Sequence, residues 1–408
     1  MPPLSPRLTI VVGVTGGIAA YKAVGVIRAL VLEGHSVHVV ATEAALRFVG
    51  RPTLEAISRN PVATDLYEGV AEVRHVAIGQ SADLIVIAPA TANTIAKLAA
   101  GLADDLLGNT VLASTAPLVI APAMHTEMWE HPATRANVAL LRARGAVVLD
   151  PASGRLTGKD TGPGRLPDPA EIAELARLLL ERPTALPRDL AGRRVVVSAG
   201  GTREALDPVR FLGNRSSGRQ GYAFARVAAQ RGAKVTLVAA HTADLGDPAA
   251  VEVLRVGSAL QLRDAMHVAA KGADAIVMTA AVADFRPTSL VDHKIKKSGS
   301  EDPPPLALTQ NPDVLVELVG AREAGQVVVG FAAETGDDTG DALHHGRAKL
   351  ARKGCDLLVV NAVGEGMAFE VADNSGWLLG ADGSETVLPS GSKALLASRV
   401  WDTVAARL

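Results

Sequence analysis

The sequence predicts an α/β protein of two tandem doubly wound domains, each a flavodoxin-like or Rossmann-like parallel sheet with helices on both faces. In each half of the chain, short runs rich in β-branched residues alternate with longer stretches rich in Ala and Leu. This alternation is typical of parallel strands joined by helical crossovers. Each half also opens with a strand followed by a Gly-rich turn. At 408 residues the chain is long for a single core, so two domains are expected.

The elements of the first half follow one another in a regular order. LTIVVGVTGGIAA is typical of a strand, a Gly-rich turn and a helix, and Gly34 stops that helix. The runs SVHVVAT, SADLIVIAPATAN and APLVIAPAM then predict three further strands. Because ligands of doubly wound sheets bind beyond the carboxyl ends of the strands, the residues that follow these runs are the candidate site.

The second half repeats this plan after a linker. RRVVVSAGGTRE predicts its first strand and turn, AKVTLVAA follows a stop at Gly232, and GADAIVMTAAVADF predicts the next strand. Between the halves, LLLERPTALPRDLAGRR combines two prolines with several charges, which is typical of a linker. The predicted domains are residues 1–180 and 192–408, joined by a linker at 181–191.

Composition excludes several classes of protein. Lys and Arg number 41 and Asp and Glu 43, so neither nucleic acid nor an anionic membrane is an expected partner. The one cysteine, Cys355, excludes an intrachain disulfide and a Cys-rich metal site, and we expect it to be a buried packing residue. The N-terminus lacks the pattern of a signal peptide, and no apolar run of about 18 residues is present. A cytoplasmic protein without a membrane span is therefore expected.

The first Gly-rich turn predicts an anion site. Gly16 and Gly17 would let backbone N–H groups approach an anion at the start of the following helix. The spacing fails GxGxxG because Thr15 and Ile18 occupy glycine positions, which favours a single phosphate over a dinucleotide. Thr42, at the end of the next strand, could add a hydroxyl. A tight turn without a ligand is the alternative.

Three further segments of the first half are candidates. The small residues and amide of Pro89–Thr94 suit a flat ring that approaches the backbone, although this segment could simply cap the next helix. His75, shortly before that strand, is either a structural histidine or a catalyst. VIAPAMHTEMWEHPA, at 119–133, is either a surface loop or the wall of a site. It carries His125, and also His131, which has no metal partner at useful spacing and is expected to be structural.

In this order, GGIAAYK, His75, PATANT and PAMHTEMW resemble the homo-oligomeric flavin-containing cysteine decarboxylases, over residues 8–170. The resemblance implies FMN, with its phosphate near the Gly-rich turn and its ring against the PATANT segment. The cofactor-binding residues that it implies are Gly16, Gly17, Ile18, Thr42, Pro89, Ala90, Thr91, Asn93, Ala123 and Met124.

The resemblance also implies a reaction. A carboxylate next to a saturated carbon loses CO2 slowly because the resulting carbanion has no electron sink. FMN would oxidise the substrate thiol to a thioaldehyde, which accepts those electrons, and would return the hydride after CO2 has left. His75 would be the base that assists thiol oxidation, a task that suits imidazole near neutral pH.

Two positions depart from the family pattern. In PxMNxxMW the family has an asparagine that handles the substrate, and this chain has His125, whose imidazole can still donate a hydrogen bond. The family loop LACGxxGxGR carries a cysteine that protonates the ene-thiolate, and this chain has Gly158 there. Thr157, Lys159, Asp160 or water are the alternative proton donors.

A long polar insert follows the first strand of the second half. In REALDPVRFLGNRSSGRQG, the segment Asn214–Gly218 supplies an amide, a cation, two hydroxyls and a glycine at the start of a helix. Such groups suit phosphate and carboxylate, and a solvated loop is the alternative.

Lysines supply a second positive region in this half. Lys294, Lys296 and Lys297 precede SGSEDPPPL and are either a surface loop or a lid over a triphosphate. Lys349 and Lys353 share one face of a helix, which either binds a ligand or is solvated. No GxxxxGK[ST] occurs, so a P-loop is excluded. These residues alone predict an anionic ligand of the nucleotide class.

GGTxExxDxVRxxxNxSSGxxG, AAVADF, KIKK and GFAAET, in order over residues 190–408, are similar to the phosphopantothenate–cysteine ligase domain. The resemblance implies that CTP activates 4'-phosphopantothenate as an acyl-cytidylate, which the amine of cysteine attacks to give the amide and CMP. Magnesium would bridge the phosphates. It implies catalytic roles for Asn214 and Lys294, and no metal ligands are assigned. The substrate-binding residues that it implies are Arg210, Ser216, Ser217, Gly218, Ala280, Ala281, Asp284, Lys294, Pro312, Asp313, Val314, Leu315, Phe331, Lys349 and Lys353.

Together the two resemblances imply a bifunctional phosphopantothenoylcysteine decarboxylase and phosphopantothenate–cysteine ligase of coenzyme A biosynthesis. They also imply a homo-oligomer with trimers of the flavin domain and dimers of the ligase domain, up to a dodecamer. A ligase whose flavin domain is a degenerate assembly module is the second hypothesis, motivated by His125 and Gly158. The third, an NAD-binding oxidoreductase, lacks GxGxxG in both halves.

Overall fold

The structure, a computed structural model, describes residues 7–66, 74–156, 161–295, 305–334, 340–362 and 373–408. The chain divides into two compact units, Met1–Leu186 with Pro248–Ala250, and Pro187–Asp247 with Val251–Leu408. Several residues discussed above lie outside the described ranges, namely Thr157, Gly158, Lys159, Asp160, Lys296 and Lys297.

The first unit alternates strands and helices as predicted. Its strands are β1 (Thr9–Val14), β2 (Ser36–Ala41), β3 (Leu84–Ala90), β4 (Leu118–Pro122), β5 (Val147–Val148), β6 (Ala152–Arg155) and β7 (Thr161–Arg165). Its helices are α1 (Ala20–Leu32), α2 (Glu43–Leu46), α3 (Arg51–Ser58), α4 (Arg74–Ser81), α5 (Ala92–Ala100), α6 (Leu106–Leu112), α7 (Thr126–Glu130), α8 (Pro132–Ala143) and α9 (Pro169–Glu181).

The main sheet of this unit is parallel and has the order β2-β1-β3-β4-β5. This is the flavodoxin-like order, so the predicted fold class is confirmed for the first unit. β3 is buried along its whole length and β1 from its second residue onward, as expected of central parallel strands. Each buried Ile or Leu of these strands contributes roughly 1.5–3 kcal/mol. The strand order reverses between β1 and β3, where ligands of this fold bind.

The second unit contains more strands than the sequence predicted. Its strands are β8 (Arg194–Ala199), β9 (Arg203–Ala205), β10 (Phe211–Gly213), β11 (Lys234–Ala239), β12 (Val251–Arg255), β13 (Ala275–Met278), β14 (Phe285–Pro287), β15 (Leu308–Gln310), β16 (Val327–Glu334), β17 (Leu357–Ala362), β18 (Asp373–Gly380) and β19 (Glu385–Ser392). Its helices are α10 (Arg219–Gln230), α11 (Ala259–Ala270), α12 (Val314–Gly320), α13 (Ala342–Lys353) and α14 (Lys393–Ala405).

The main sheet of the second unit has the order β12-β11-β8-β13-β16-β17-β18-β19. Its first six strands are parallel in the Rossmann order, which confirms the predicted class, and the order reverses between β8 and β13. β18 and β19 are antiparallel and extend the sheet at one edge. This hairpin was not predicted from the sequence, and its turn contains Gly383 with a φ of 84°.

A buried arginine joins the last helix to the core of the second unit. Arg231 is fully buried and pairs with Asp189 and Asp402, and its Nη1 donates to Asp402 Oδ1 over 2.9 Å. Trp401 is also fully buried, and its Nε1 donates to the carbonyl of Phe224 over 3.0 Å. Loss of either carboxylate would leave part of a buried charge uncompensated, which is costly. These contacts fix α14 against α10.

The segment predicted as a linker contains buried residues. Ala185 and Leu190 are fully buried, and Asp189 belongs to the ion pair with Arg231.

Cys355 is buried, as expected of a packing residue. Burial raises the pKa of its thiol to about 11, so the thiolate is scarce near neutral pH. Within the described ranges, no helix has both the length and the apolar character needed to cross a bilayer.

Candidate active sites

Thr15 joins the two loops at the reversal point of the first sheet. Its hydroxyl donates to the carbonyl of Pro89 over 2.7 Å and accepts from the N–H of Thr91 over 3.1 Å. Thr15 is 1% exposed, so this link is internal. The Gly-rich turn and the PATANT segment are therefore brought together, as the sequence predicted. The role of Thr15 itself was missed because only the structure shows which loop its hydroxyl reaches.

The start of α1 is open to an anion. Its N-cap residue, Ala19, has no side chain that accepts from the first N–H groups of the helix. Ile18, in the turn before this helix, is 67% exposed. Thr42 accepts from the N–H of Ala45 over 3.2 Å and caps α2, so its hydroxyl hydrogen is left to meet a ligand. The N–H groups of Ala20 and Lys22 already donate to the carbonyls of Gly17 and Ala19, over 2.9 and 3.0 Å. A single phosphate would therefore meet the N–H of Tyr21 and the hydroxyl of Thr42.

The two glycines of this turn have different tasks. A Cβ at Gly16 would lie 2.4 Å from Ala44 Cβ and 2.8 Å from its backbone carbon, so close packing on α2 requires glycine. A Cβ at Gly17 would meet nothing nearer than 3.7 Å. Packing thus explains Gly16 and leaves Gly17 available to a ligand.

We predict that Gly16→Ala and Gly17→Ala separate packing from ligand binding. Gly16→Ala should destabilise the flavin-free protein by roughly 1–3 kcal/mol through overpacking. Gly17→Ala should leave the stability of that form unchanged, because its added Cβ has space. Thermal unfolding of the flavin-free proteins checks both. Equal losses in the two variants would contradict the division of tasks.

The PATANT segment presents only part of its length to a ligand. Pro89 and Ala90 are buried, whereas Thr91 is half-buried and Asn93 is exposed. Thr91 accepts from the N–H of Thr94 over 3.3 Å and caps α5, so the capping role considered above is present. The side chains available to a ring are those of Thr91 and Asn93.

The loop after β4 is tied both to this segment and to the β6–β7 hairpin. The N–H of Ala123 donates to the carbonyl of Ala90 over 3.0 Å, and that of Met124 donates to the carbonyl of Gly164 over 2.9 Å. Thr126 Oγ1 donates to the carbonyl of Pro163 over 2.8 Å. The hairpin base and the loop therefore form one wall beside the candidate ring site.

The two histidines of this loop differ in their surroundings. His125 is exposed at the N-cap of α7, and its imidazole caps no N–H of that helix. His131 Nδ1 accepts from the N–H of Ala133 over 3.2 Å and caps α8, as expected of a structural histidine. His75 is half-buried on α4 and forms no hydrogen bond with another described residue. Its proximity to the other segments stays a prediction.

A cavity of about 1060 Å³ lies at the carboxyl edge of the second sheet. Most of the predicted ligase residues line it, namely Asn214, Ser216, Ser217, Gly218, Ala280, Ala281, Asp284, Pro312, Asp313, Val314, Leu315, Phe331, Lys349 and Lys353. Further lining residues were not predicted, among them Arg219, Gln220, Asn311, Asn361 and Lys393. Arg210 and Lys294 are not among the lining residues.

The Gly-rich turn after β8 supports two walls of the cavity. The N–H of Ala281 donates to the carbonyl of Gly200 over 2.8 Å, and the N–H of Ala283 donates to Thr202 Oγ1 over 2.9 Å. A Cβ at Gly201 would lie 2.6 Å from the carbonyl oxygen of Asn214, so the insert passes directly over the turn. The strand-end segment and the insert therefore share one base.

Asn214 and the start of α10 offer hydrogen-bond donors to an anion. Asn214 Nδ2 donates to the carbonyl of Val282 over 3.0 Å, which fixes the amide plane and leaves its second N–H available as a donor and Oδ1 as an acceptor. Gly218, the N-cap of α10, has a φ of 75° and no side chain to cap the helix. Uncapped N–H groups beside Arg219 suit a phosphate or carboxylate.

Lys349 and Lys353 lie one turn apart on α13, and each pairs with a carboxylate. Lys349 Nζ is 2.8 Å from Glu334 Oε1, and Lys353 Nζ contacts Asp313 Oδ2. Both lysines line the cavity, and their side chains are 27% and 16% exposed. A polyphosphate that enters would compete with these carboxylates for the ammonium groups.

Arg210 is held away from the cavity by a buried carboxylate, Asp207. Arg210 Nε and Nη2 donate to Asp207 Oδ2 over 2.9 and 2.6 Å. Burial alone would raise the pKa of the Asp207 carboxyl, but Arg210 and backbone N–H groups hold it well below its ordinary value. Asp207 was missed as a functional candidate, although the DxVR spacing at i and i+3 was a signal for such a pair.

Across the part of the chain that the structure describes, no three His, Cys, Asp or Glu side chains form a group able to hold a metal ion.

Comparisons with known proteins match both units. The family model described as DNA/pantothenate metabolism flavoprotein C-terminal domain matches residues 190–408, and the model described as Flavoprotein matches residues 4–180. The Coenzyme A biosynthesis bifunctional protein CoaBC of Mycolicibacterium smegmatis is 63% identical, covering 99% of this chain and 99% of the relative. That of Bacillus subtilis is 41% identical, covering 96% and 95%. A crystal structure of the C-terminal domain of such a protein is 32% identical, covers 54% of this chain and 97% of its own, and gives a TM-score of 0.45.

Proposed function

The chain belongs to the family of coenzyme A biosynthesis bifunctional proteins, and from this premise we propose that it makes 4'-phosphopantetheine from 4'-phosphopantothenate and cysteine. It is a bifunctional enzyme that combines a ligase and a decarboxylase, and it uses a flavin cofactor. We assign the decarboxylase to residues 1–180, the linker to 181–191 and the ligase to 192–408. The observation that carries the proposal is a cavity of about 1060 Å³ lined by residues from widely separated parts of the ligase domain.

The ligase step begins with activation of the substrate carboxylate. A carboxylate oxygen attacks the α-phosphate of CTP, an acyl-cytidylate forms and pyrophosphate leaves. The start of α10 and the hydroxyls of Ser216 and Ser217 would bind the anionic groups. Lys349 and Lys353 would exchange Glu334 and Asp313 for the triphosphate, which compensates its charge. Magnesium, when bound with CTP, would neutralise the leaving pyrophosphate.

The second part of the ligase step is aminolysis. The amine of cysteine attacks the acyl carbon, the amide forms and CMP leaves. Asn214, whose plane is fixed by Val282, would orient the acyl-cytidylate through Oδ1 and its remaining N–H. Asp284 and Phe331 line the same cavity and would contact the nucleotide. Lys294 would stabilise the developing negative charge.

The decarboxylase step uses the open edge of the first sheet. We propose FMN as the flavin, with its phosphate at the uncapped start of α1 and its ring beside Thr91 and Asn93. FMN, when bound, supplies reversible hydride transfer and so an electron sink for the loss of CO2. His75 would remove the proton of the substrate thiol, and exposed His125 would bind the substrate carboxylate.

FMN is favoured over a dinucleotide because the Gly-rich turn at the start of α1 lacks the GxGxxG spacing. The degenerate-flavin-domain hypothesis is not favoured, because the full-length relatives are bifunctional and the Flavoprotein model matches residues 4–180. An NAD-binding oxidoreductase is not supported by either match.

We further propose a cytoplasmic homo-oligomer, with trimers of the flavin domain and dimers of the ligase domain, up to a dodecamer. Exposed apolar side chains in each unit support subunit contacts, for example Ile18 and Tyr21 in the first and Phe211 and Phe285 in the second. Light scattering on the purified protein measures the assembly, and a monomer would contradict it.

One experiment tests the function. Purified protein with 4'-phosphopantothenate, cysteine, CTP and magnesium should yield 4'-phosphopantetheine by mass spectrometry, and omission of CTP should leave the first substrate unchanged. Supplied 4'-phosphopantothenoylcysteine should be decarboxylated without CTP. Accumulation of the acylcysteine without a decarboxylated product would contradict the decarboxylase half, and unchanged phosphopantothenate would contradict the ligase half. Flavin absorbance of the purified protein checks the cofactor.

A further inference from the structure

Asp207 is a buried carboxylate at the centre of the insert after β8. It is 2% exposed. Oδ1 accepts from the N–H groups of Val209 and Arg210, each over 2.8 Å, and Oδ2 accepts from the Arg210 side chain over 2.9 and 2.6 Å. These bonds close the DPVR turn around one negative charge. None of the roles assigned above to the ligase residues uses Asp207.

The same pair holds the residue that follows Lys294. The N–H of Ile295 donates to Asp207 Oδ2 over 3.2 Å, and Arg210 Nη2 donates to the carbonyl of Ile295 over 2.7 Å. Both backbone polar groups of Ile295 are therefore fixed, one by the carboxylate and one by the guanidinium. The N–H of Val291 also donates to the carbonyl of Leu206 over 3.4 Å. The segment leading to Lys294 is thus attached to the insert at two points.

The contacts that Asp207 and Arg210 make with the backbone of Ile295 form a clamp, and this clamp depends on an ionised Asp207 carboxylate. Burial alone would raise the pKa of Asp207, but the Arg210 guanidinium and the N–H groups lower it well below the ordinary value of about 3.9. Because the folded-state pKa is the lower one, the stabilisation is fully present above the ordinary value and is lost as pH falls toward the folded value. The charge, and with it the clamp, therefore persists at every pH at which the enzyme would work.

We propose that Asp207 is a positioning residue of the ligase, which acts with Arg210 by fixing the backbone at Ile295 and so the location of Lys294. This rests on the proposed role of Lys294 in the ligase step. It also gives Arg210 a task inside the clamp, beside the substrate-binding role that the family resemblance implied. A catalytic ammonium group held by a flexible side chain gains from a fixed backbone, because misplacement by about 1 Å can cost about 10²-fold in rate.

A double-mutant cycle in the full-length flavin-bound enzyme tests this inference. The variants are Asp207→Asn, Lys294→Ala and the double substitution, and the measurement is the turnover number for CMP release at saturating substrates. Asp207→Asn keeps the shape and removes the charge, and should lower turnover about 10- to 100-fold. Lys294→Ala should lower it about 10²- to 10³-fold. The double variant should be no slower than Lys294→Ala, because a positioning residue has no effect once its target is absent.

If the fold-losses of turnover in Asp207→Asn and Lys294→Ala multiply in the double variant, the inference is overturned. Such independent losses are what a general structural role of Asp207 predicts. Full turnover in Lys294→Ala would overturn it too, together with the role of Lys294, whereas absence of ligation by the unaltered enzyme would instead overturn the proposed function. Asp247→Asn is the matched control, because it breaks an Arg–Asp pair, Asp247–Arg255 at 2.7 Å, that is exposed and outside the cavity. It should leave turnover unchanged.

A second variant covers the case in which Asp207→Asn does not fold. Arg210→Met removes the bond to the carbonyl of Ile295 and keeps the backbone bonds that Asp207 accepts. It should also lower turnover and should also have no effect in the Lys294→Ala background. Decarboxylation of supplied 4'-phosphopantothenoylcysteine reports folding of the rest of the chain and should be unchanged. Independent effects of Arg210→Met and Lys294→Ala would overturn the inference.

Discussion

Replacing Asn214 with alanine is expected to stop amide formation by the ligase while decarboxylation of supplied 4'-phosphopantothenoylcysteine continues. Asn214 lines the cavity, and its Nδ2 is fixed by the carbonyl of Val282 over 3.0 Å. The amide is therefore held in place before a ligand enters, which is the condition under which a single hydrogen-bonding group is worth most to catalysis. Its removal should lower the ligation rate about 10²- to 10³-fold, measured as CMP released at saturating CTP, cysteine and 4'-phosphopantothenate.

A matched control separates this loss from a loss of stability. Asn60 Nδ2 also donates to a backbone carbonyl, that of Val37, over 2.9 Å, and Asn60 belongs to no site proposed above. Asn60→Ala should cost about 1 kcal/mol of stability and leave both activities unchanged. Loss of both activities in Asn214→Ala would contradict separable sites, and retained ligation would remove Asn214 from the ligase step.

Much of the fold was predictable because buried parallel strands appear in the sequence as continuous apolar runs. β3 is a run of seven residues, all buried, and it stands out from the helical stretches on either side. Once the strands are located, the doubly wound fold class predicts that the ligand binds at their carboxyl ends. That rule selected PATANT, PAMHT and AAVADF correctly as segments at the carboxyl edges of the two sheets.

The β18–β19 hairpin was missed although its turn carried a signal. Asp382 and Gly383 lie between two strands, and Gly383 has the positive φ that such a turn requires. The hydrophobic pattern of the strands is a weak signal, since most residues of β19 are exposed and only a few are buried. A two-sided polar strand of this kind shows little contrast with a loop.

Residues defined by their partners could not be predicted from the sequence. Arginine is usually a surface residue, so the sequence gives no reason to expect Arg231 in the core. Its burial is explained by Asp189 and Asp402, which are far apart along the chain. Thr15 and Asp207 are similar, because each is placed by a backbone group that the fold brings from a distant segment. For Arg210 the motif located the residue, and the partner Asp207 determined what its guanidinium contacts.

The charges of the ligase cavity show how such partners alter a prediction. Spacing alone placed Lys349 and Lys353 on one helix face. The structure adds a carboxylate for each, Glu334 and Asp313, so the two ammonium groups of the cavity wall are already compensated. Binding of a triphosphate then becomes an exchange of partners, whose net gain is smaller than the full attraction between lysine and phosphate.

Replacing His75 with asparagine is expected to have the opposite effect to Asn214→Ala, stopping decarboxylation and leaving ligation intact. His75 is half-buried on α4 and has no hydrogen bond with another described residue, so its loss should not disturb the fold. Removal of a general base typically costs about 10²- to 10⁴-fold in rate. With 4'-phosphopantothenate, cysteine, CTP and magnesium supplied, the variant should accumulate 4'-phosphopantothenoylcysteine, which mass spectrometry detects directly.

The control for this variant is His131→Asn. His131 Nδ1 caps α8 by accepting from the N–H of Ala133, and asparagine is also a good capping residue, so both activities should persist. Flavin absorbance should be the same in the unaltered enzyme, His75→Asn and His131→Asn, because a base that acts on the substrate thiol does not hold the cofactor. Undiminished CO2 release by His75→Asn would remove His75 from the mechanism. Loss of flavin from that variant would instead assign His75 to cofactor binding, because the decarboxylase half would then fail for lack of its electron sink.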